Sequence, residues 1–456
     1  MMGTNLSESK RTEPETRDDC GDAGDYSAPQ LSILDDSVTG KTETTTNGQT
    51  VMPSFRRSTG RPLRIAVIAA CPFPVPRGTP IRILRLSEAL AEAGHDVHVL
   101  TYHLGSGPVD SRVKVHRIED VPSYRKLSPG PTVRKLVTVD RKLTRLAWRI
   151  LRNHDFDVIH AHHYEGLLVA RAARGRLRIP IVYDAHTLLA SELPFYPLGL
   201  PEGMKHALGR WMDRVFPRLA EHTVCVTETI RDKLRATSHL DDERVSVIRN
   251  GVELEHFRSV PRKPGPGDHG RSVIFTGNLA EYQGIDNLLE AFRLAVEQVP
   301  DARLVIGTDS PTRPLEEYAG RLGIREQIDI VASPGFAELP ELLARADVAV
   351  NPRVDCDGVP VKLLNYMAAG LPVVSFDSSA PGVTHLENGW LAASGDRNAL
   401  AEGMVQLLKD PALASRIGAA AQQYIEDNCR WQLAARQCEH IYGSLLSQDR
   451  RVGANP

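Results

Sequence analysis

Residues 156–165, FDVIHAHHYE, set His160, His162, His163 and Glu165 at the end of a short apolar run. Imidazoles gathered where a buried strand stops can position or deprotonate a substrate hydroxyl, because a ring nitrogen changes charge near neutral pH. A second run, YDAHTLLASELPFY at 183–196, repeats the arrangement with Asp184, His186 and Glu192. His163, Glu165, Asp184 and His186 are read as walls of an acceptor pocket. The competing reading makes some of these imidazoles satisfied core groups and Asp184 the cap of the following helix. The HxHH pattern lacks a companion cluster at zinc-ligand spacing, so no metal is assigned.

A third constellation, DCDGVPVKLLNYMAAGLPVV at 355–374, places a polar loop before a helix, with Pro360 at its first position and Gly370 at its stop. Lys362 in the first turn opposes the charge preference of a helix start and therefore points to an anionic ligand such as a diphosphate. Asn365, one turn on, reaches a sugar or ribose hydroxyl. The competing reading is a solvated lysine. Within residues 71–83, CPFPVPRGTPIRI, Gly78 is the single glycine, so the GxGxxG dinucleotide fingerprint is missing and no nicotinamide cofactor is expected. Gly78 and Thr79 open a helix whose free N–H groups suit a phosphate or an acceptor oxygen, or else form a plain strand-to-helix turn.

These groups need a scaffold. Apolar runs at 63–70, 96–102, 158–160, 181–183 and 223–227 alternate with helical stretches such as 80–93. A second series at 272–276, 303–307, 328–331, 348–351 and 372–376 alternates with helices at 285–298 and 338–346. Alternation of this kind implies parallel sheets. The expected organisation is α/β throughout. A disordered tail at 1–62 precedes an acceptor-binding domain at 63–258; a Pro/Gly-rich linker at 259–271 leads to a nucleotide-sugar domain at 272–445, its last helix crossing back, and a short tail at 446–456. Two doubly wound, Rossmann-like domains then face an interdomain cleft where strand carboxyl ends meet helix N-termini.

A formal net charge of -2 over 456 residues offers no basic field for nucleic acid. The six cysteines are scattered, and reduced thiols in a cytoplasmic protein are the simplest reading. No apolar run reaches the roughly 20 residues of a membrane span, and no secretory signal opens the chain. The stretch RKLVTVDRKLTRLAWRILR at 134–152 is basic and amphipathic. It suits peripheral contact with the inner face of an anionic membrane, or a packed helix with a solvated basic side.

With these residues placed, the chain resembles the family-four retaining glycosyltransferases of GT-B fold over residues 63–445. The resemblance rests on Gly78 and Thr79, AEAGHDVHVLT at 91–101, DVIHAH at 157–162, VIRNGVELEHF at 247–257, FTGNLAEYQGIDNLLEAF at 275–292, LPELLARADVAVNP at 339–352 and VPVKLLNYMAAGLPVV at 359–374. It implies a nucleotide-diphosphate sugar donor on the C-terminal domain and a glycan or lipid-linked acceptor on the N-terminal one. It further implies transfer with retention of configuration and no bound metal or cofactor. The family's catalytic histidine falls on His162, and its glycine-containing first loop on Gly78 and Thr79. Its paired glutamates fall on Asp357, toward the donor sugar, and Asn365, toward the ribose. Its diphosphate-clamping Arg and Lys fall on Asn278 and Gln283, so that charge pair is lost. Lys362, its helix N-terminus and the main-chain amides around Gly277 and Gly284 are the expected substitutes. Competing readings are a non-catalytic GT-B subunit and a GT-B-like epimerase or phosphorylase.

Overall fold

The protein is described from a computed structural model covering residues 61–75, 78–127, 135–196, 198–260, 271–332, 335–356 and 358–452. The expected tail up to residue 60, the linker at 261–270, Asp357 and residues 453–456 lie outside the described residues.

Two wholly parallel sheets organise the chain. The first contains β1 (Arg64–Ala69), β2 (Asp96–Thr101), β3 (Val113–Arg117), β4 (Val158–His162), β5 (Ile181–Ala185), β6 (His222–Cys225) and β7 (Val245–Val247), in the order β3-β2-β1-β4-β5-β6-β7. The second contains β8 (Ser272–Thr276), β9 (Arg303–Gly307), β10 (Ile328–Val331), β11 (Val348–Asn351), β12 (Val373–Phe376) and β13 (Trp390–Ala392), in the order β10-β9-β8-β11-β12-β13. Each is a Rossmann-like unit with helices on both faces, as the strand–helix alternation predicts. β8, β9, β10 and β11 coincide with their expected spans, and β4 runs two residues further than expected, to His162. β3, β7 and β13 were not anticipated: β3 carries charged residues at a sheet edge, and the other two are three residues long.

Burial explains the order. β1, β4 and β5 are covered on both faces; β1 is almost wholly apolar, whereas β4 carries His160 and His162 and β5 carries Asp184 at their carboxyl ends. Helix α1 (Gly78–Glu92) lays Ile83, Leu86 and Leu90 on one face of the first sheet. Helices α2 (Arg141–Asn153) and α3 (His163–Arg174) close the other with Leu143, Leu146, Leu151 and Leu167. Each fully buried Leu, Ile or Phe contributes about 1.5–3 kcal/mol. Two further helices, α4 (Leu189–Glu192) and α5 (Glu202–Val215), pack on one another beside α3.

The last helix, Trp431–Val452, packs on the first sheet although it follows the second in sequence, adding Trp431, Ala435, Cys438 and Tyr442 to the cluster around β1. A Cβ at Gly251 would stand 2.5 Å from the Trp431 backbone nitrogen, so only glycine permits that approach. Strand order reverses at β1/β4 and at β8/β11. These switch points are where loops at strand carboxyl ends part and leave room for a ligand.

Candidate active site

At the first switch point the loops after β1 and β4 enclose a cavity of about 200 Å³, lined by Gly78, Thr79, Lys135, His162, His163, Glu165 and Glu192 among others. His162 ends β4 and is nearly buried. Its Nδ1 lies 3.1 Å from His186 Nε2, and its ring stacks on His160 with centroids 4.6 Å apart. His160 in turn sets Nε2 3.2 Å from Asp184 Oδ2 and Nδ1 2.5 Å from the Tyr442 hydroxyl on the last helix. Arg82 on α1 closes the set, its Nε donating to Asp184 Oδ2 at 3.0 Å and its Nη1 to Asn250 Oδ1 at 3.0 Å.

The charges follow from this packing. Burial holds His162 well below its ordinary range, as a neutral imidazole, with His160 adding to the effect. Burial likewise brings His186 down to about 3, against the pull of Asp184. Burial favours a protonated Asp184, but Arg82 and the surrounding imidazoles outweigh it and hold the carboxyl well below the usual range. His162 Nδ1 faces His186 and Asp184, and the residue lines the cavity.

His163 is the opposite case. It adopts φ 61°, the left-handed region that histidine tolerates better than most residues. Its Nε2 stands 3.1 Å from Glu192 and its Nδ1 3.4 Å from Glu165. Burial opposes its charge, but Glu192 and Glu165 raise it to about 10, so it is an imidazolium at neutral pH. Glu165 also pairs with Lys135, and these cations bring it down to about 2 despite its burial.

At the second switch point the loop after β8 meets the loop after β11. Gly284 has φ 72°, and a Cβ there would stand 2.2 Å from the Pro352 carbonyl oxygen, so the two backbones touch only because it is glycine. The helix Val361–Ala368 begins here, with Pro360 as its N-cap instead of its first residue. Lys362 Nζ donates to Gln283 Oε1 at 2.7 Å and lies 3.8 Å from the centroid of the Phe275 ring. Burial, helped by nearby Arg353, lowers Lys362 to about 7. Arg353 itself lies over Tyr282, 5.0 Å from the ring centroid.

Two cavity walls join the halves. A cleft of about 620 Å³ is lined by Val75, Gly78 and Arg82 on one side and by Val361, Leu364 and Asn365 on the other. Gly78 and Val75 also line the smaller cavity that holds His162. A Cβ at Gly358 would stand 3.6 Å from the His186 carbonyl oxygen, so the loop before the Lys362 helix abuts the histidine cluster.

Known sequences carry the same plan. The sequence model of Glycosyltransferase Family 4 matches residues 76–256, and that of Glycosyl transferases group 1 matches residues 270–410. The chain belongs to the family-four glycosyltransferases of GT-B fold. Among relatives, a phosphatidyl-myo-inositol mannosyltransferase of Mycobacterium leprae is 28% identical over 397 residues, covering 86% of this chain and 99% of the relative. A D-inositol 3-phosphate glycosyltransferase of Thermobispora bispora is 25% identical over 415 residues, covering 83% and 93%. Among solved structures, sucrose-phosphate synthase from Thermosynechococcus elongatus superposes with a TM-score of 0.69 at 20% identity, covering 85% of this chain and 100% of that one. Anabaena HepE in complex with UDP gives 0.64 at 16% identity, with 84% and 100% covered.

The glycosyltransferase brings most of the expected residues to its two switch points and departs from expectation at others. Asp184, expected to face the acceptor and alternatively to cap a helix, does neither: it is fully buried and engaged by Arg82 and His160. His160, His162 and Asp184 also form a group with metal-ligand geometry, but the Arg82 guanidinium already balances the carboxylate charge. The amides of Gly277 and Gly284, expected to face the diphosphate, donate to the carbonyls of Gly307 and Glu281 at 2.9 and 3.0 Å. Asn278 builds its own loop, donating to the Tyr282 hydroxyl at 3.0 Å and accepting from Ala280 N at 3.2 Å. Arg82, Arg353 and Tyr442 were not singled out from sequence. Arg82 lies in the segment 71–83 but, like Arg353 and Tyr442, gains its meaning from distant partners, up to the 282 positions that separate His160 and Tyr442.

Proposed function

We propose that the glycosyltransferase moves a hexose from a nucleotide-diphosphate sugar to a glycan or lipid-linked acceptor with retention of configuration. The donor diphosphate lies at the start of the Lys362 helix and the acceptor in the cavity beside His162. The observation that carries this reading is the environment of Lys362: an ammonium desolvated against Phe275, hydrogen-bonded to a neutral amide, with Arg353 as a second cation nearby. A cation so placed gains most when an anion arrives, and the leaving diphosphate is the anion that gains charge as the bond to the sugar breaks. Lys362 and Arg353 thus take over from the family's clamping pair, whose positions hold Asn278 and Gln283. Gln283 orients Lys362 through its side-chain oxygen.

On the opposite wall, His162 offers a neutral Nε2 that accepts a hydrogen bond from a substrate hydroxyl. His163, Glu165 and Glu192 form a charged wall that fixes acceptor hydroxyls by directional hydrogen bonds. Asn365 lines the cleft from the donor side and contacts the ribose. Arg141, Arg145, Arg149 and Arg152 leave α2 basic on its outer side, with Arg152 over Trp148 at 4.5 Å. This side docks on the anionic inner face of a membrane. Among the described residues no helix is long and apolar enough to cross one.

The test is nucleoside diphosphate release across a panel of UDP-, GDP- and ADP-sugars with purified protein. Release that falls in both Lys362→Ala and His162→Ala supports the assignment. Wild-type rates in both would remove it.

A further inference from the structure

Beside the His162 cavity lies a second, larger recess. A groove of about 680 Å³ runs between the segment Lys135–Asp140, α3 and α5. Its walls are mostly hydrocarbon: Leu136, Leu168, Leu193, Leu198, Leu208 and Met212. Leu136, Leu168 and Leu208 are 61%, 36% and 37% exposed, unusual for leucines that face one another across a recess. The groove and the His162 cavity share Lys135, Tyr164 and Glu165, so the ion pair Lys135–Glu165 stands in a wall common to the two. Arg141 and Arg145 of α2 also line the groove, and both are exposed.

Two recesses with a common charged wall, one carrying His162, His163 and Glu192 and the other walled mostly by leucines, fit one amphiphilic molecule. Resting on the reading of the His162 cavity as the acceptor site, we propose that the acceptor is a lipid whose polar head enters that cavity while its hydrocarbon chain lies in the groove between Leu136, Leu168 and Leu208. A free glycan or a protein acceptor would leave the groove empty and its leucines in water. A volume of about 680 Å³ lies within the usual range for a ligand pocket. The arginines at the rim complement an anionic group joining head to chain.

The test uses n-alkyl β-D-glucosides of six, eight and ten carbons, below their critical micelle concentrations, with glucose as control. Their binding to the full chain is measured by titration calorimetry. Affinity is expected to rise with chain length, up to about fourfold per methylene buried. Leu168→Glu and Leu208→Glu, at partly exposed helix positions, are expected to flatten the series and weaken the decyl glucoside at least about tenfold. UDP and GDP binding, measured on the same preparations, reports the donor site separately. Nucleotide binding with an alkyl series that is flat in the wild type overturns the groove assignment alone. So does a rising series that survives both substitutions. Loss of nucleotide binding in Lys362→Ala supports the donor site whatever the alkyl series shows. Anionic vesicles complete the set: if both glutamate variants lose vesicle binding and keep the alkyl series, the leucines contact the bilayer surface and the proposal fails.

Discussion

Arg82 and Asp184 form an ion pair at 2.9 Å with side chains 1% and 0% exposed, directly behind the histidine of the candidate site. Removing one partner strands the other's charge in the interior, at a cost of about 3–5 kcal/mol. Asp184→Ala is therefore expected to lower unfolding free energy by about that much in urea titration. The pair Arg82→Met with Asp184→Leu is expected to recover a large part of the loss. Equal destabilisation in the single and double variants would show that the pairing is not what holds this region.

The same pair reaches His162 through His160 and His186. His162→Ala is expected to reduce turnover by about 10²–10⁴-fold, the usual scale for a positioned acid–base group, and to lower the thermal midpoint because the ring is buried and stacked on His160. Initial rates at saturating donor check this. Unchanged turnover would reassign the histidine to the core.

Much of this arrangement is legible in sequence, and the remainder fails for physical reasons. Apolar runs flanked by turn residues locate most strands, and the ordered motifs put His162 at a strand end and Gly78 and Lys362 at helix starts. Short edge strands such as β7 and β13 bury too little to show a pattern. Asp184 reads as a polar loop residue because nothing nearby reveals Arg82, 102 positions earlier, that neutralises it. The amides of Gly277 and Gly284 look available in a glycine-bearing loop, yet their carbonyl partners are fixed by strand pairing and a tight turn. Arg353 follows Asn-Pro with no motif of its own, and its role depends on where Lys362 and Tyr282 fold.

Lys362, lowered to about 7 by burial, makes donor binding pH-dependent in a definite direction. Below about 7 the ammonium is already charged. Above it, binding a diphosphate requires uptake of a proton, so affinity falls by up to about tenfold per pH unit. Nucleoside diphosphate affinity is expected to weaken from pH 7 to 9 in the wild type. In Lys362→Arg, which stays charged, it should change little. A flat wild-type profile would contradict the desolvated-lysine account.

His163 predicts an effect on stability that is likewise lost as pH rises, but at higher pH. With its folded value raised to about 10 against roughly 6.5 when unfolded, its contribution is complete below pH 6.5 and is lost as pH rises through 10. The difference in thermal midpoint between wild type and His163→Asn should therefore shrink steadily across that window. A constant difference would mean that Glu192 and Glu165 do not hold an imidazolium.

Gly284→Ala tests the contact between the two donor-side loops, since a methyl there collides with the Pro352 carbonyl from a left-handed backbone. The expected outcome is at least a tenfold loss of nucleoside diphosphate affinity in calorimetry, with secondary structure retained by circular dichroism. Wild-type affinity would show that the loop contact does not shape the donor site.

The most direct measurement is a crystal structure of the full chain with a bound nucleoside diphosphate. Phosphate oxygens are expected about 3 Å from Lys362 Nζ, with the Arg353 guanidinium turned toward them and His162 facing the open side of the β-phosphate. Phosphates bound away from the start of the Val361–Ala368 helix, with Lys362 still held by Gln283 alone, would contradict this placement.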